Sequence, residues 1–440
     1  MTSLRSSKSK PFIGEISISG DKSMSHRALM LGSVSIGKTK ISGLLESDDV
    51  LATANALGQM GINVTKNNNG FWEVDGRGVG GLIKPKNVLD LGNSGTAARL
   101  LIGLVGSHQF DSMITGDESL ISRPMDRIIT PLSQMGMNFN SAKNKLPLSV
   151  RGPSTLIPIK YKLPVPSAQV KSAILLAGLN APGQTIIIEP EPTRNHTEIM
   201  LREFGANIST KVLGNGVRQI TLFGQPELKS KYVEIPGDIS SAAFLLVAAI
   251  ITPGSCLTLE RVGLNPLRTG LIKTLKEMGA KITIKNLKTV GGEKVGDIVV
   301  KSGPLSGVTI PRKRAPSMID EYPILSIAAA NAFGTTKMRG LAELRVKESD
   351  RIKVMAEGLK KCGIQIDQSE DSLVVHGKGE SPRGGTQVKT DHDHRIAMSF
   401  LILGMNSRQP IAIDDSRFIN TSFPNFTKLM NSLGANINVF

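Results

Sequence analysis

The chain has 440 residues, too many for one ordinary domain and enough to bury substantial cores, so two domains are expected. Its 53 Lys and Arg against 37 Asp and Glu leave a net charge of +16, which favours anionic partners, yet one Trp, three Tyr and 13 Phe are too few for a base-stacking surface. The longest apolar run, Ala242 to Ile251, is about half a bilayer span, so no membrane-spanning helix is expected.

The chain opens on MTSLRSSKSK, basic and Ser-rich without an apolar stretch, which reads as a tail and not as a secretory signal. Beyond it, six similar segments follow one another. Their heads are GDKSMSHRALML, GNSGTAARLLIG, PSAQVKSAILLA, GDISSAAFLLVA, DEYPILSIAAAN and DHRIAMSFLILG, each a polar loop running into an apolar helix. Their tails are LGQMGINV, LSQMGMNF, LREFGANI, LKEMGAKI, LKKCGIQI and MNSLGANI, each a helix end with a glycine stop leading into an alternating strand. The tail glycines, Gly61, Gly136, Gly205, Gly279, Gly363 and Gly434, are 75, 69, 74, 84 and 71 residues apart. This is an internal repeat of about 70 to 80 residues: loop, helix, strand, loop, helix and strand pair.

Five copies carry a second tail strand, and the sixth ends at Phe440 without one. EISISG, Glu15 to Gly20, is expected to supply it and so return the N-terminus to the C-terminal half. Its mid-chain counterpart is YVEIPG, Tyr232 to Gly237; both lead into a Gly-Asp pair. The crossovers are therefore placed near Gly20/Asp21 and Gly237/Asp238. One domain would hold residues 21–237 and the other residues 1–20 with 238–440, three repeats in each.

Loops before helices carry an unusual share of functional-looking residues: Lys22, Ser23 and Arg27; Asn93, Gly95, Thr96 and Arg99; Arg123; Ser167 and Gln169; Arg194. The second half adds Asp320, Lys347, Glu348, Arg351 and Arg395. A helix N-terminus presents unpaired amides and a partial positive charge, so such loops, gathered on one side, make an anion-binding cleft. GSVSIGKT, Gly32 to Thr39, matches the P-loop pattern, but it follows a helix and precedes a strand, the wrong context for a nucleotide site. DHDH, Asp391 to His394, lacks further ligands at metal-binding spacing, and Arg395 adjoins it; no metal is expected. Cys256 and Cys362 are too far apart for a zinc or redox motif. Both are expected in the core, in a reducing compartment.

GDKSMSHR, LGNSGTAAR, SRPMDR, SAQVKSA, PTRNHTE, IDEYP, RVKESDR and DHRIAMSF, in this order from Gly20 to Phe400, with SFP at Ser422 to Pro424, closely resemble the 5-enolpyruvylshikimate-3-phosphate synthase family of enolpyruvyl transferases. The resemblance implies an α/β fold, a two-domain inside-out α/β barrel of six βαβαββ-like units, three per domain, closing around its substrates. It implies no cofactor and a cytoplasmic monomer. The implied activity is transfer of the carboxyvinyl group of phosphoenolpyruvate to the 5-hydroxyl of shikimate 3-phosphate, with release of phosphate. By motif position Asp320 would be the base at the hydroxyl, Glu348 would handle the carbon proton, and Lys22 would stabilise charge between the substrates. Lys22, Ser23, Arg27, Ser167, Ala168, Gln169, Arg194, Asp320 and Lys347 would bind shikimate 3-phosphate; Lys22, Gly95, Arg123, Gln169, Arg351 and Arg395 would bind phosphoenolpyruvate.

Two departures stand out. Thr421 occupies the position before SFP where many members carry a lysine, and Leu100 follows Arg99 where a proline is common. Gly95 would favour sensitivity to glyphosate. The alternative is the sister enzyme acting on UDP-N-acetylglucosamine, which typically carries a reactive cysteine in the loop before the RP dipeptide. SMITGDESLISRP has none, although Asp117 could stand there. An RNA-associated protein of similar architecture is a further rival that the charge raises and the aromatic inventory weakens.

Overall fold

The computed structural model describes residues 2–440. The chain divides into two compact units. The first comprises Gly20–Ile235 with the short segment Thr289–Glu293; the second comprises the residues up to Ser19 with Pro236–Lys288 and Lys294–Phe440.

Each unit is built on three head helices, and their sequences explain why these lie inside. Ile239–Ile251 buries all thirteen of its residues, as a helix apolar on every side must. Gly95–Val105, Ala168–Gly178, Tyr322–Asn331 and His394–Gly404 are almost as completely covered. Gly95–Val105 packs on Ala168–Gly178 in the first unit; Ile239–Ile251, Tyr322–Asn331 and His394–Gly404 pack together in the second. Five head helices are capped by a side chain accepting a main-chain N–H of the first turn: Asp21, Ser94, Ser167, Asp238 and Asp393.

There are six sheets among the described residues, and five have four strands. The first is Tyr232–Glu234, Ile36–Ser42, Trp72–Arg77 and Asn63–Lys66 in spatial order, with its first pair parallel and the others antiparallel. That order, with the tail hairpin folded back so that its second strand lies between the first and the rest of the sheet, recurs in three of the other four-stranded sheets; in the remaining one a strand from elsewhere in the chain takes that inner place. Strands such as Gln184–Glu189 alternate between buried and more exposed residues, laying one face on the helices.

The six tail glycines all adopt positive φ, from +84° to +112°. In each copy the residue after the glycine donates its N–H to the carbonyl five positions back: Ile62 to Leu57, Met137 to Leu132, Ala206 to Leu201, Ala280 to Leu275, Ile364 to Leu359 and Ala435 to Met430, at 2.9–3.2 Å. That closes the helix and turns the chain into the hairpin, at a backbone angle that side chains resist.

The structure corrects two assignments of the N-terminal segment. The missing strand of the sixth sheet comes from Leu4–Ser7, inserted between Gln409–Ile413 and Asn436–Val439, and not from Glu15 to Gly20. Ile13–Ser17 instead runs parallel to Cys256–Gly263 in the fourth sheet. The opening residues are therefore part of the fold and not a loose tail. Leu4 and Ser6 face inward, too short an alternation to be distinguished from coil in sequence. Strand and helix approach closely here, since a Cβ on Gly404 would fall 1.9 Å from Ser6 Oγ. A third correction concerns Cys256: as the first residue of its strand it points outward and is exposed, whereas Cys362 is buried and its thiol is pushed up to about 12.

Leu4→Ala should therefore destabilise the protein by about 2–3 kcal/mol, as for a buried leucine. Urea unfolding monitored by circular dichroism measures this; a change below about 0.5 kcal/mol, the range of ordinary surface substitutions, would show that the sixth sheet does not depend on the inserted strand.

Candidate functional site

In the first unit the candidate residues gather at helix starts. Lys22 opens the helix Lys22–Ser33, and its ammonium lies 2.8 Å from Asp49 Oδ2 at the start of Asp48–Gln59. Arg27, one turn further on, is buried and turned inward. It donates to the Ser23 carbonyl at 2.8 Å, to Ser172 Oγ at 2.8 Å and to Thr197 Oγ1 at 2.6 Å, bracing three helices.

Ser94 caps Gly95–Val105, and an arginine pair stands over its first turn. A Cβ on Gly95 would come 2.7 Å from Arg99 Nη1 and 2.9 Å from Arg123 Nη1. Arg123 follows the short helix Glu118–Ser122 and donates to Asn93 Oδ1 at 2.7 Å and Ser119 Oγ at 2.9 Å. Asp117 caps that short helix through the Leu120 N–H and accepts from Asn93 Nδ2 at 2.7 Å, so it serves to hold the loop. Ser167 caps Ala168–Gly178, and Gln169 on its first turn donates to Thr96 Oγ1 at 3.2 Å. Ala168 is buried beside them, and half-buried Arg194 precedes the helix His196–Glu203. An amide-rich turn with two guanidinium groups beside it is suited to a carboxylate or phosphate.

In the second unit four candidates form one ion-paired group, which Arg395 joins through a main-chain carbonyl. Arg351 opens the helix Arg351–Lys361 and is only 1% exposed. Its guanidinium lies 2.8 Å from Asp393 Oδ2, 2.6 Å from Glu348 Oε2 and 3.5 Å from Asp320 Oδ1. Burial alone would lower its pKa, but the three carboxylates outweigh that and hold it charged. Lys347 Nζ lies 3.6 Å from Asp320 Oδ1, and Arg395 Nη1 donates to the Asp320 carbonyl at 3.0 Å. The side chains of Asp320 and Glu348 remain 15% and 21% exposed, so both carboxylates can meet a ligand. Proton acceptors beside partly accessible cations can bind an anion and move a proton on it.

Three functional partners escaped the reading of the sequence. Asp49 holds Lys22, Asp393 holds Arg351, and Glu321 lies 3.8 Å from Arg395 while accepting from Ser240. Burial pushes the Glu321 carboxyl upward despite Arg395 nearby. The clue for Asp393 was its place before a head helix; Asp49 and Glu321 show no spacing of their own. Thr421 is buried and donates to the Phe418 carbonyl at 2.7 Å, closing a local turn.

A family model described as EPSP synthase (3-phosphoshikimate 1-carboxyvinyltransferase) matches residues 6–430. The chain is 55% identical to the 3-phosphoshikimate 1-carboxyvinyltransferase of Paramagnetospirillum magneticum and 53% identical to that of Rhodospirillum rubrum, with 99% of this chain and 98% of each relative covered. EPSP synthase from Acinetobacter baumannii superposes with a TM-score of 0.88 at 46% identity over 100% of both chains. The enolpyruvyl transferase NikO from Streptomyces tendae shares the fold, with a TM-score of 0.78 at 17% identity over 99% of this chain and 98% of its own.

One buried group beside the first cluster gives a pH signature. His26 Nδ1 lies 2.7 Å from Thr53 Oγ1, and burial, with Lys22 and Arg27 nearby, holds its pKa well below 6.5. The folded chain keeps it neutral while the unfolded chain protonates it. Its contribution is therefore present above pH 6.5 and lost as pH falls below that value, with a slope of at most about 1.4 kcal/mol per pH unit. His26→Gln should flatten this part of the stability curve in urea titrations between about pH 5 and pH 8. An unchanged slope would exclude His26 as its source.

Proposed function

We propose roles for these residues on one premise: the chain belongs to the EPSP synthase family, 3-phosphoshikimate 1-carboxyvinyltransferase. It transfers the carboxyvinyl group of phosphoenolpyruvate to the 5-hydroxyl of shikimate 3-phosphate and releases phosphate, a step of aromatic amino acid biosynthesis. What supports the residue assignment is that Asp320, Lys347, Glu348 and Arg351 form one ion-paired group, joined by Arg395 through the Asp320 carbonyl, with two carboxylates still accessible although the five residues span 76 positions.

Asp320 takes the proton from the 5-hydroxyl as its oxygen bonds to C2 of phosphoenolpyruvate. Glu348 delivers a proton to the methylene carbon, giving a tetrahedral intermediate. Lys22 stabilises the charge on the oxygens around that centre. The C2–O bond to phosphate then breaks, Glu348 takes a proton back from the new methyl group, the vinyl group is restored on the acceptor, and the hydroxyl proton held by Asp320 leaves with the phosphate. Ser23, Arg27, Ser167, Ala168, Gln169, Arg194 and Lys347 hold shikimate 3-phosphate with Lys22 and Asp320. Gly95, Arg123, Gln169, Arg351 and Arg395 hold phosphoenolpyruvate with Lys22, guanidinium pairing to its carboxylate and phosphate. No helix among the described residues is long and apolar enough to cross a membrane. We place the protein in the cytoplasm as a monomer acting on these small molecules and not on nucleic acid.

Phosphate release should depend on shikimate 3-phosphate and not on UDP-N-acetylglucosamine, with kcat falling by about 100- to 10,000-fold in Asp320→Ala. Release with the nucleotide sugar alone would transfer the chain to the sister activity, and full activity of Asp320→Ala would remove the assigned base. Gly95→Ala tests the other unit. The added methyl must displace Arg99 and Arg123, so KM for phosphoenolpyruvate should rise about tenfold or more while KM for shikimate 3-phosphate stays within about twofold. Equal effects on both KM values would count against phosphoenolpyruvate at this turn.

A further inference from the structure

Lys171 belongs to no assigned role, yet its side chain is completely buried. It lies on the first turn of Ala168–Gly178, with its ammonium 2.9 Å from Glu189 Oε1, 2.8 Å from Glu198 Oε1 and 3.4 Å from the Thr193 carbonyl. Glu189 ends the strand Gln184–Glu189, and Glu198 stands in the first turn of His196–Glu203. The same Glu189 oxygen accepts from the Thr193 N–H at 3.0 Å and from Thr193 Oγ1 at 2.5 Å. Thr193 immediately precedes Arg194.

The fold does not demand this arrangement. Four positions after the capping residue, the other capped head helices carry Ser25, Ala98, Ala242 and Ala397, all small and buried. A charged group in the same place must be desolvated, and a well-packed apolar residue commonly serves stability as well or better. The cluster instead fixes geometry. It joins the helix turn bearing Gln169, with Ser167 at its cap, to the loop bearing Arg194.

We propose that Lys171, Glu189 and Thr193 form a positioning device for acceptor binding, setting Arg194 at a fixed distance from Ser167 and Gln169. This rests on the reading above that those three residues hold shikimate 3-phosphate. Glu189 restrains both the main chain and the hydroxyl of Thr193, so the buried ion pair fixes the point from which Arg194 leaves the loop.

Steady-state kinetics on the full-length protein, varying each substrate separately, test this with Lys171→Met, Thr193→Val and Arg194→Ala. Thr193→Val is nearly isosteric and keeps the buried charges, so it addresses the device even if Lys171→Met folds poorly. The expected result is a rise of about tenfold or more in KM for shikimate 3-phosphate in all three variants, the equivalent of one lost charge-assisted bond, with KM for phosphoenolpyruvate within about twofold. A cluster that served stability alone would lower the thermal midpoint and leave both KM values unchanged. If Arg194→Ala raises KM for shikimate 3-phosphate while Thr193→Val and folded Lys171→Met do not, the positioning role is overturned and the site reading stands. If Arg194→Ala leaves that KM unchanged, the site reading fails and the proposal with it.

Discussion

The guanidinium of Arg351 is the constraint around which the second unit's chemistry is arranged. A cation that is 1% exposed must be paired, because removing one partner of a buried ion pair costs about 3–5 kcal/mol. Its principal partner, Asp393, is also the capping residue of His394–Gly404 and accepts the Arg395 N–H at 2.9 Å. One ion pair thus fastens two helix starts and fixes the residues that follow each. Glu348 and Asp320 are held by the remaining guanidinium nitrogens, and Arg395 reaches back to the Asp320 main chain. The two carboxylates assigned to proton transfer are therefore set by a charge that solvent does not screen, which is how a site holds its geometry before a substrate arrives.

The first unit solves a different problem. Lys22 opens its helix, and Arg99 and Arg123 stand over the first turn of Gly95–Val105, where peptide dipoles already favour negative charge. Lys22 is anchored by Asp49, and Arg123 by Asn93 and Ser119. Neither arginine of the Gly95 turn could keep its place beside a larger residue, so the absence of a side chain there is what lets both guanidinium groups approach the turn. The net charge of +16 is opposite in sign to the two anionic substrates, but long-range attraction only raises encounter rates.

Much of this was legible in the chain itself because it is written six times. The glycine stops recur at positive φ, the apolar heads become buried helices, and the polar residues before them sit at capped N-termini. Repetition lifts a weak local signal above coincidence. Features present once were lost. Leu4–Ser7 offers a single apolar residue, so its insertion in the sixth sheet has no pattern to reveal it. Asp49, Glu321 and the Lys171 cluster are pairings across distant segments, and charge pairing follows from three-dimensional proximity, which spacing does not encode. Cys256 shows the same limit, since a strand's end may face either way and here it faces solvent.

The repeat supplies the scaffold, and departures from it supply the chemistry. Asp21 and Asp238 occupy equivalent caps, yet the first is followed by Lys22 and the second by Ile239. In the fourth copy the cap is tied to Arg268, which also donates to Ser240 at 2.6 Å, and Ser240 in turn reaches Glu321. That copy spends its polar groups on internal order. In the first copy the corresponding loop presents an ammonium with part of its surface open. The same backbone therefore serves as an internal brace in one place and presents a partly open charge in another, according to whether the residue after the cap is apolar or charged. A six-fold repeated loop could accumulate such differences without altering the helix and sheet beneath it, because the cap, the buried face and the glycine stop are set by other positions.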